Sequence, residues 1–270
     1  MTTATTDHSL GADLDLILKA AHEAGQLAVR LRKAGLTTET KDDGTPVSNA
    51  DLAVDSLLKA MLGAARPDYG WLSEETADDP ARLKCRRLFV VDPIDGTRAY
   101  VKDRPWWVVS IAVVEDGRPT VGVIYAPDVD ETYHAVTGQG AWRNGVAISP
   151  SEATGVEDCA MLADAPMFKH PAWPTPWPPM QVASRNSVAY RLCLVASGDF
   201  DAALALSSKS EWDLAAADLI ATEAGCLVTD HKGRAFRYNQ EHPKMRSLVC
   251  AGPALHGLIL DRVRPINLPD

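Results

Sequence analysis

The apolar run Leu88, Phe89, Val90, Val91 passes without a spacer into Asp92, Pro93, Ile94, Asp95, Gly96 and Thr97, and this junction constrains the chain more than any other stretch. Four consecutive apolar residues describe a short buried strand, so two aspartates three apart stand at its end. Pro93 disfavours the helical region for Asp92 and keeps that residue extended. Gly96 permits a tight turn and a close backbone approach to a ligand. Two carboxylates so placed can converge on a hard cation, and backbone N–H groups at the start of a following helix can hold a phosphate. The alternative is a strand that ends in an ordinary Asp-rich turn, which any DG dipeptide would fit.

The rest of the chain supplies helices and strands to surround this junction. Leu14, Ile17, Leu18, Ala21, Ala24, Ala28 and Leu31 keep helical spacing, with Gly35 as a stop. A second helix begins near Ser48 or Asn49, carries Leu52, Leu57, Leu58, Met61 and Leu62, and ends before Pro67. KDDGTPVS between them reads as a turn. Trp107 to Val114, Val121 to Tyr125 and Thr132 to Val136 are β-rich, and Asp116-Gly117 signals a hairpin whose turn is longer than the tightest type. Val188 to Ala196 and Leu214 to Ala224 read as helices, Leu227 to Thr229 and Ser247 to Cys250 as strands. Interspersed helices and strands predict a layered α+β fold rather than a barrel or bundle. HPAWPTPWPPM at 170–180 cannot form a regular element and is a junction or a surface loop.

Charge and cysteine usage narrow the function. With 36 acidic against 27 basic residues, the formal charge is -9. A nucleic-acid surface needs clustered Lys and Arg instead, whereas an acidic protein can still take anionic substrates if bound cations invert the local field. The five cysteines are scattered and never spaced CxxC, which suggests neither a disulfide framework nor a thiolate zinc site but free thiols in a reducing cytosol. The seven histidines, including His8, His134, His231 and His256, do not cluster. The first ten residues lack a secretory pattern and no run reaches the ~18 apolar residues of a spanning helix, so a soluble cytoplasmic protein is expected. GxSxG, HExxH and GxxxxGK[ST] are absent.

VVDPIDGT does not stand alone. KDDGTPVSNAD at 41–51, WLSEET at 71–76, VVDPIDGT at 90–97 and SEWDLAAADLIATEAG at 210–225 occur in the order in which the inositol monophosphatase superfamily carries such segments, and GVIYAPDVDETYHAVTGQGAWRNG at 122–145 resembles that family's middle hairpin. The resemblance implies a five-layered αβαβα sandwich, with a lobe 1–150 carrying most metal ligands and a lobe 151–270 adding Asp213 and substrate contacts. It implies a Mg²⁺-dependent phosphomonoesterase with two or three ions per site, held by Glu74, Asp92, Asp95, Asp213 and the Ile94 carbonyl, with Asp92 bridging two ions. Two ions roughly 4 Å apart can clamp the attacking and leaving oxygens of an in-line displacement. Glu74 and Thr97 would orient and activate the attacking water, and Asp51 would accept the Thr97 hydroxyl proton in a hydrogen bond. Asp95, Gly96, Thr97, Lys41, Arg98 and Asp213 would contact substrate. The resemblance also implies Li⁺ inhibition and a homodimer acting on a small phosphomonoester, with no nucleic acid or membrane as partner. Each carboxylate has a structural alternative: a solvated turn for Glu74 and Glu75, an N-cap for Asp213 on a helix starting at Leu214, and the first helical turn for Asp51.

Among substrates, Arg98 and the late segment GRAFRYNQEHPKM at 233–245 look more like the 3′(2′),5′-bisphosphate nucleotidases. The expectation is 3′-phosphoadenosine 5′-phosphate first, inositol 1-phosphate second and histidinol phosphate third. Arg98, Lys102, Arg104, Arg185 and Arg191 are candidates for a second phosphate, and Tyr238, Trp106 or Trp107 for a stacked base. The rival enzyme rests on DVDET at 128–132, which matches the DxDxT of haloacid-dehalogenase-type phosphatases, with Asp128 as nucleophile and Asp130 as general acid. Against it, 127 residues precede the motif and Pro127 suggests a hairpin turn. A non-catalytic metal-binding protein is the remaining alternative, and it would require neither Glu74 nor Thr97 as a water activator.

Overall fold

Strand alternation at the junction decides how the layers stack. In β4 (Arg87–Asp95) Phe89 and Val91 face one apolar cluster while Leu88 and Val90 face another, and all four are buried. Period-two alternation with both faces covered explains why the sequence here is continuously apolar. The computed structural model describes residues 9–41, 44–171 and 173–268; His8, the pair Asp42 and Asp43 within KDDGTPVS, and Ala172 within the Pro-rich segment lie outside the described residues.

The larger sheet has seven strands in chain order: β3 (Gly70–Ser73), β4, β5 (Val108–Glu115), β6 (Arg118–Ala126), β7 (Glu131–Val136), β8 (Ala141–Arg143) and β9 (Val146–Ala147). Only β3 and β4 run parallel. On its first face lie α1 (Leu10–Ala34) and α2 (Asn49–Ala65), which bury Ile17, Ala21, Ala24 and Ala28, and Val54, Leu58 and Leu62, against Phe89, Val91, Val109 and Val123. A short hairpin of β1 (Thr38–Thr40) and β2 (Pro46–Ser48) connects the two helices, so the expected turn sits inside a two-stranded ribbon.

The second face receives α4 (Val188–Ala196) and α5 (Glu211–Ala224). Here α5 runs so close to β6 that a Cβ on Gly122 would stand 2.8 Å from the Ala216 carbonyl oxygen, so only glycine fits. Beyond these helices lies a five-stranded sheet in the order β11 (Gln181–Ala183), β10 (Ala160–Leu162), β12 (Ala202–Ala205), β16 (Leu248–Ala251), β14 (Leu227–Thr229). The outermost layer is α6 (Pro253–Val263), whose Leu255, Ile259 and Val263 pack on Met161, Val249 and Ala251. The stack is an αβαβα sandwich. A ribbon of β13 (Lys209–Ser210) with β15 (Lys244–Met245) and the five-residue helix α3 (Thr97–Val101) complete the elements.

Two expectations are corrected. The hairpin turn after β5 is the tightest type: Glu115 pairs with Arg118, and Asp116 and Gly117 both take positive φ (49° and 76°), which Asp-Gly tolerates. A register shift at Val113/Val114 absorbs the residue that made the turn look longer. The helix carrying Asp213 begins at Glu211 with Ser210 as its N-cap, so Asp213 closes a capping box from the third position and is not the cap itself. The described residues of 170–180 hold no helix or strand; Trp173 and Trp177 meet edge to face, and Arg262 of α6 donates to the Pro176 carbonyl. Among the described residues no helix is long and apolar enough to cross a membrane.

Candidate active site

Three strand and helix ends deliver carboxylates to one point. The pairing of β4 with β5 shifts register between Asp92, opposite Ser110, and Asp95, opposite Val108, which places a one-residue irregularity between the two aspartates at the strand's end. Asp92 Oδ1 accepts the Ile94 N–H at 3.0 Å, and Asp95 Oδ2 accepts the Ser187 hydroxyl at 2.6 Å and the Ala189 N–H at 2.7 Å. From the first turn of α5, Asp213 Oδ2 accepts the Ser210 N–H at 2.9 Å. One oxygen from each of Asp92, Asp95 and Asp213 lies within 4.8 Å of the others; the first two residues are buried and the third half-buried.

Such a cluster repels itself. Burial, then the charges of Glu74, Asp95 and Asp213, pushes the Asp92 carboxyl well above its ordinary value. Burial and the Asp95 charge push Asp213 up to about 8. Asp95 rises to about 6 through burial, against the opposing bonds from Ser187 and Ala189. Among the described residues no Lys or Arg nitrogen forms an ion pair with any of the three. Lys209, whose charge acts on Asp213, bonds Ser207 and the Ser208 carbonyl instead, and burial lowers its pKa. An all-oxygen, charge-deficient donor set of this kind fits a hard divalent cation such as Mg²⁺.

Glu74 lines the same cavity, with its Oε1 held at 2.8 Å by Lys41, whose ammonium also bonds Glu75 at 2.7 Å. Burial works against the Lys41 charge, but Glu74 and Glu75 outweigh it and hold the ammonium above its ordinary value. Glu75 is not a solvated turn residue: its side chain is 5% exposed, and burial raises its pKa to about 7. Thr97 Oγ1 donates towards both Asp51 Oδ1 and the Ile94 carbonyl, each at 3.1 Å. Asp51 serves two ends at once, because its Oδ2 accepts the Ser48 N–H and hydroxyl in the capping box of α2. Gly96 takes φ 97°, and a Cβ there would stand 2.8 Å from the Trp106 carbonyl oxygen.

A cavity of about 650 Å³ opens over these groups, lined by Glu74, Asp92, Asp95, Thr97 and Asp213, and also by Arg98, Arg191, Lys209 and Asp164. Several sequence candidates do not reach it. Lys102 and Arg104 are not in its lining, and Arg185 lies over the Trp106 ring at 4.4 Å. Trp107 is buried with its Nε1 on Asp128, and Tyr238 is buried with its hydroxyl on Asp218, because a large ring with one polar atom is satisfied by a core pocket and one acceptor. Ser187, Lys209 and Asp164 escaped sequence reasoning. Only Ser187 carries a local signal, an N-cap before α4.

A family model for the inositol monophosphatase family matches residues 13–267. The chain belongs to the inositol monophosphatase family. It is 35% identical over 263 residues to a histidinol-phosphatase of Mycobacterium tuberculosis, covering 93% of this chain and 97% of that one. It is 30% identical over 251 residues to the 3′(2′),5′-bisphosphate nucleotidase CysQ of Salmonella typhimurium, covering 83% and 93%. Among solved structures, the Thermotoga maritima IMPase superposes with a TM-score of 0.80 at 26% identity, over 93% of this chain and 96% of that one. Inositol monophosphatase family members are Mg²⁺-dependent phosphatases of phosphomonoesters, and the donor set described above suits that metal.

The family assignment removes the dehalogenase-type rival, and the geometry agrees. Asp128 lies in the turn between β6 and β7, where Arg32 binds it with both terminal nitrogens at 2.8 and 2.5 Å and Trp107 Nε1 at 2.6 Å. It is absent from the cavity lining. Asp128→Asn is expected to leave turnover within about twofold while costing about 1–3 kcal/mol of stability, the range for a lost hydrogen-bonded charge. Parallel assays and thermal melts check this, and loss of activity in a folded variant would contradict it.

Proposed function

We propose that the chain is a phosphatase of 3′(2′),5′-bisphosphorylated nucleosides, with 3′-phosphoadenosine 5′-phosphate as best substrate. The observation that carries this reading is the placement of Arg98, Arg191 and Lys209 on the cavity that also holds the carboxylates. A metabolite with one phosphate needs one anion site, whereas a second phosphate needs cations set apart from the metal-binding end. Arg191 is fixed for that purpose: its Nε and Nη2 both donate to the Arg185 carbonyl, which aims the planar group. Met167, Leu204 and Leu206 give the cavity an apolar wall for a base.

In this reading Asp92, Asp95, Asp213, Glu74 and the Ile94 carbonyl hold Mg²⁺. Bound there, Mg²⁺ supplies positive charge for the phosphoryl oxygens and acidifies the attacking water. Thr97 gives its proton towards Asp51 and Ile94, which leaves its oxygen free to accept a hydrogen bond from that water. Glu74 completes the orientation and takes up the proton. Ser187 and the Ala189 N–H keep Asp95 turned into the cavity, while Arg98 and Arg191 hold the phosphate that is not cleaved. We place the enzyme in the cytoplasm, a reading supported by five free thiols, four of them buried.

Asp164 favours a second reading, histidinol phosphate, since it is the acid of the cavity outside the metal set and could meet an ammonium. Phosphate release separates the two. With Mg²⁺, 3′-phosphoadenosine 5′-phosphate should be cleaved well ahead of histidinol phosphate and inositol 1-phosphate, with loss of activity in EDTA and inhibition by Li⁺. Arg191→Ala should raise the KM for the bisphosphate roughly 10–100-fold, the value of one charged hydrogen-bonding group, and move the KM for inositol 1-phosphate little. A preference for histidinol phosphate, or an equal effect of Arg191→Ala on all substrates, would overturn the nucleotidase reading.

A further inference from the structure

The segment 233–245, which carries the sequence likeness to the nucleotidases, contributes nothing to the lining of the active-site cavity. It grips the start of α5 instead. β15 pairs with β13, placing Met245 opposite Lys209 and Lys244 opposite Ser210, and the Glu211 N–H donates to the Pro243 carbonyl at 3.0 Å. Glu211 is fully buried, and its carboxylate accepts the Asn239 N–H at 2.6 Å on one oxygen and the Gln240 N–H at 2.9 Å on the other. Asn239 takes φ 60°, the left-handed conformation that Asn tolerates better than most residues, and this turns two successive N–H groups onto one carboxylate.

The same turn is tied on its far side. Arg82, with its side chain 1% exposed, holds Asp78 through Nε and Nη2, donates from Nη1 to Asn239 Oδ1 at 2.8 Å, and reaches the Gln240 carbonyl at 3.0 Å. Asn239 Nδ2 returns a bond to the Arg82 carbonyl at 3.2 Å. Arg82 sits in the single helical turn Pro80–Lys84, on the stretch of chain that leaves Glu74, while Glu211 stands two residues before Asp213. One hydrogen-bonded network, with Glu211 and Arg82 as its buried members, therefore joins the loop that presents Glu74 to the helix end that presents Asp213. Burying a polar group is costly unless it is hydrogen-bonded, so the two N–H bonds, one to each Glu211 oxygen, hold the helix start against the turn.

We propose that Glu211 and the turn 237–240 are a positioning device that sets where α5 begins, and hence where the Asp213 carboxylate stands relative to Asp92 and Asp95. This rests on the assignment of Asp213 as a metal ligand. The device acts through Asp213 and touches neither substrate nor metal. Glu211→Gln replaces one acceptor by an NH₂ group that faces a backbone N–H. Asn239→Gly keeps the left-handed turn and both N–H donors but removes the two bonds to Arg82.

The experiment is Mg²⁺ titration calorimetry on the full-length chain at a temperature well below each variant's melting point in EDTA, joined to kinetics over a range of Mg²⁺ concentrations. Glu211→Gln should weaken Mg²⁺ binding roughly 10–100-fold, the usual effect of losing a group that orients a ligand, with most of the kcat recovered at high Mg²⁺ and the substrate KM little changed. Asn239→Gly should weaken it in the same direction by about threefold or more, and it decides the matter if Glu211→Gln does not fold. Mg²⁺ binding within about twofold of wild type in the folded variants, whatever their melting points, would reduce the network to a structural tie and overturn the proposal. Asp213→Asn is the control on the underlying assignment: should it also leave Mg²⁺ binding unchanged, the metal-ligand reading itself fails.

Discussion

Asp92→Asn is expected to lower turnover by at least about a thousandfold while leaving the fold intact, and the metal-free variant should melt no lower than the wild type. The two halves of that expectation come from one feature. Asp92 is buried, and the charges of Glu74, Asp95 and Asp213 disfavour its ionisation, so as an anion it strains the metal-free fold. An amide of nearly the same shape removes the repulsion. Its Oδ1 can still accept the Ile94 N–H at the site where Asp92 does so at 3.0 Å, so no core contact is lost. What disappears is one of the three clustered negative charges of the donor set, and with it the cation that catalysis requires. The check is a melt in EDTA beside a steady-state assay in saturating Mg²⁺. Activity within about tenfold of wild type would remove Asp92 from the metal site, and a large drop in melting temperature would mean that the residue serves the fold instead.

How far the sequence speaks for this site depends on how local each signal is. The end of β4 is legible because one short stretch contains its causes: apolar residues on both faces, Pro93 holding Asp92 extended, and Gly96 at a positive φ where a Cβ would strike the Trp106 carbonyl. Helices α1, α2 and α4 are legible for the same reason, through the 3.6-residue spacing of a buried face and a serine cap before α2 and α4. The start of α5 shows two local rules in conflict. Apolar periodicity begins at Leu214 and points to Asp213 as the cap, whereas Ser210 followed three residues later by an acid is a capping box, and the backbone follows the latter because it satisfies two N-terminal donors.

Partnerships across the chain have no such signature. The bond from Ser187 to Asp95 joins residues 92 apart, and that from Tyr238 to Asp218 depends on a loop folding over α5. The spacing of Asp128 and Asp130 imitates a catalytic motif, and Arg32, delivered by the far end of α1, together with Trp107 shows that Asp128 is a structural anchor. The segment 233–245 carries a family likeness in its residues, yet its contacts are with the start of α5 and not with the cavity.

The affinity for Mg²⁺ should rise steeply with pH, by roughly a hundredfold between pH 6 and pH 8, because binding must displace the protons that the cluster holds. Burial and mutual charge raise Asp95 to about 6 and Asp213 to about 8, against an ordinary value of 3.8. A carboxylate whose pKa is raised by folding stabilises the fold at acid pH, and that contribution is lost as pH climbs through its folded value. From this cluster alone, the metal-free protein should therefore lose stability from about pH 4 up to about pH 8. Groups such as Asp78, whose pKa is lowered by its bond to Arg82, change stability with pH only below about pH 4 and stay outside this window. The difference between melts with Mg²⁺ and with EDTA isolates the cluster. At 10 mM Mg²⁺ the gain should be near zero at pH 5.5 and several degrees at pH 8.5, since stabilisation grows as the logarithm of ligand concentration over its dissociation constant. Asp213→Asn should flatten that rise below about pH 8, because one of the protons competing there belongs to Asp213. A gain independent of pH in the wild type would mean that the three carboxylates are already ionised without metal, and that some other cation of the chain supplies the compensating charge.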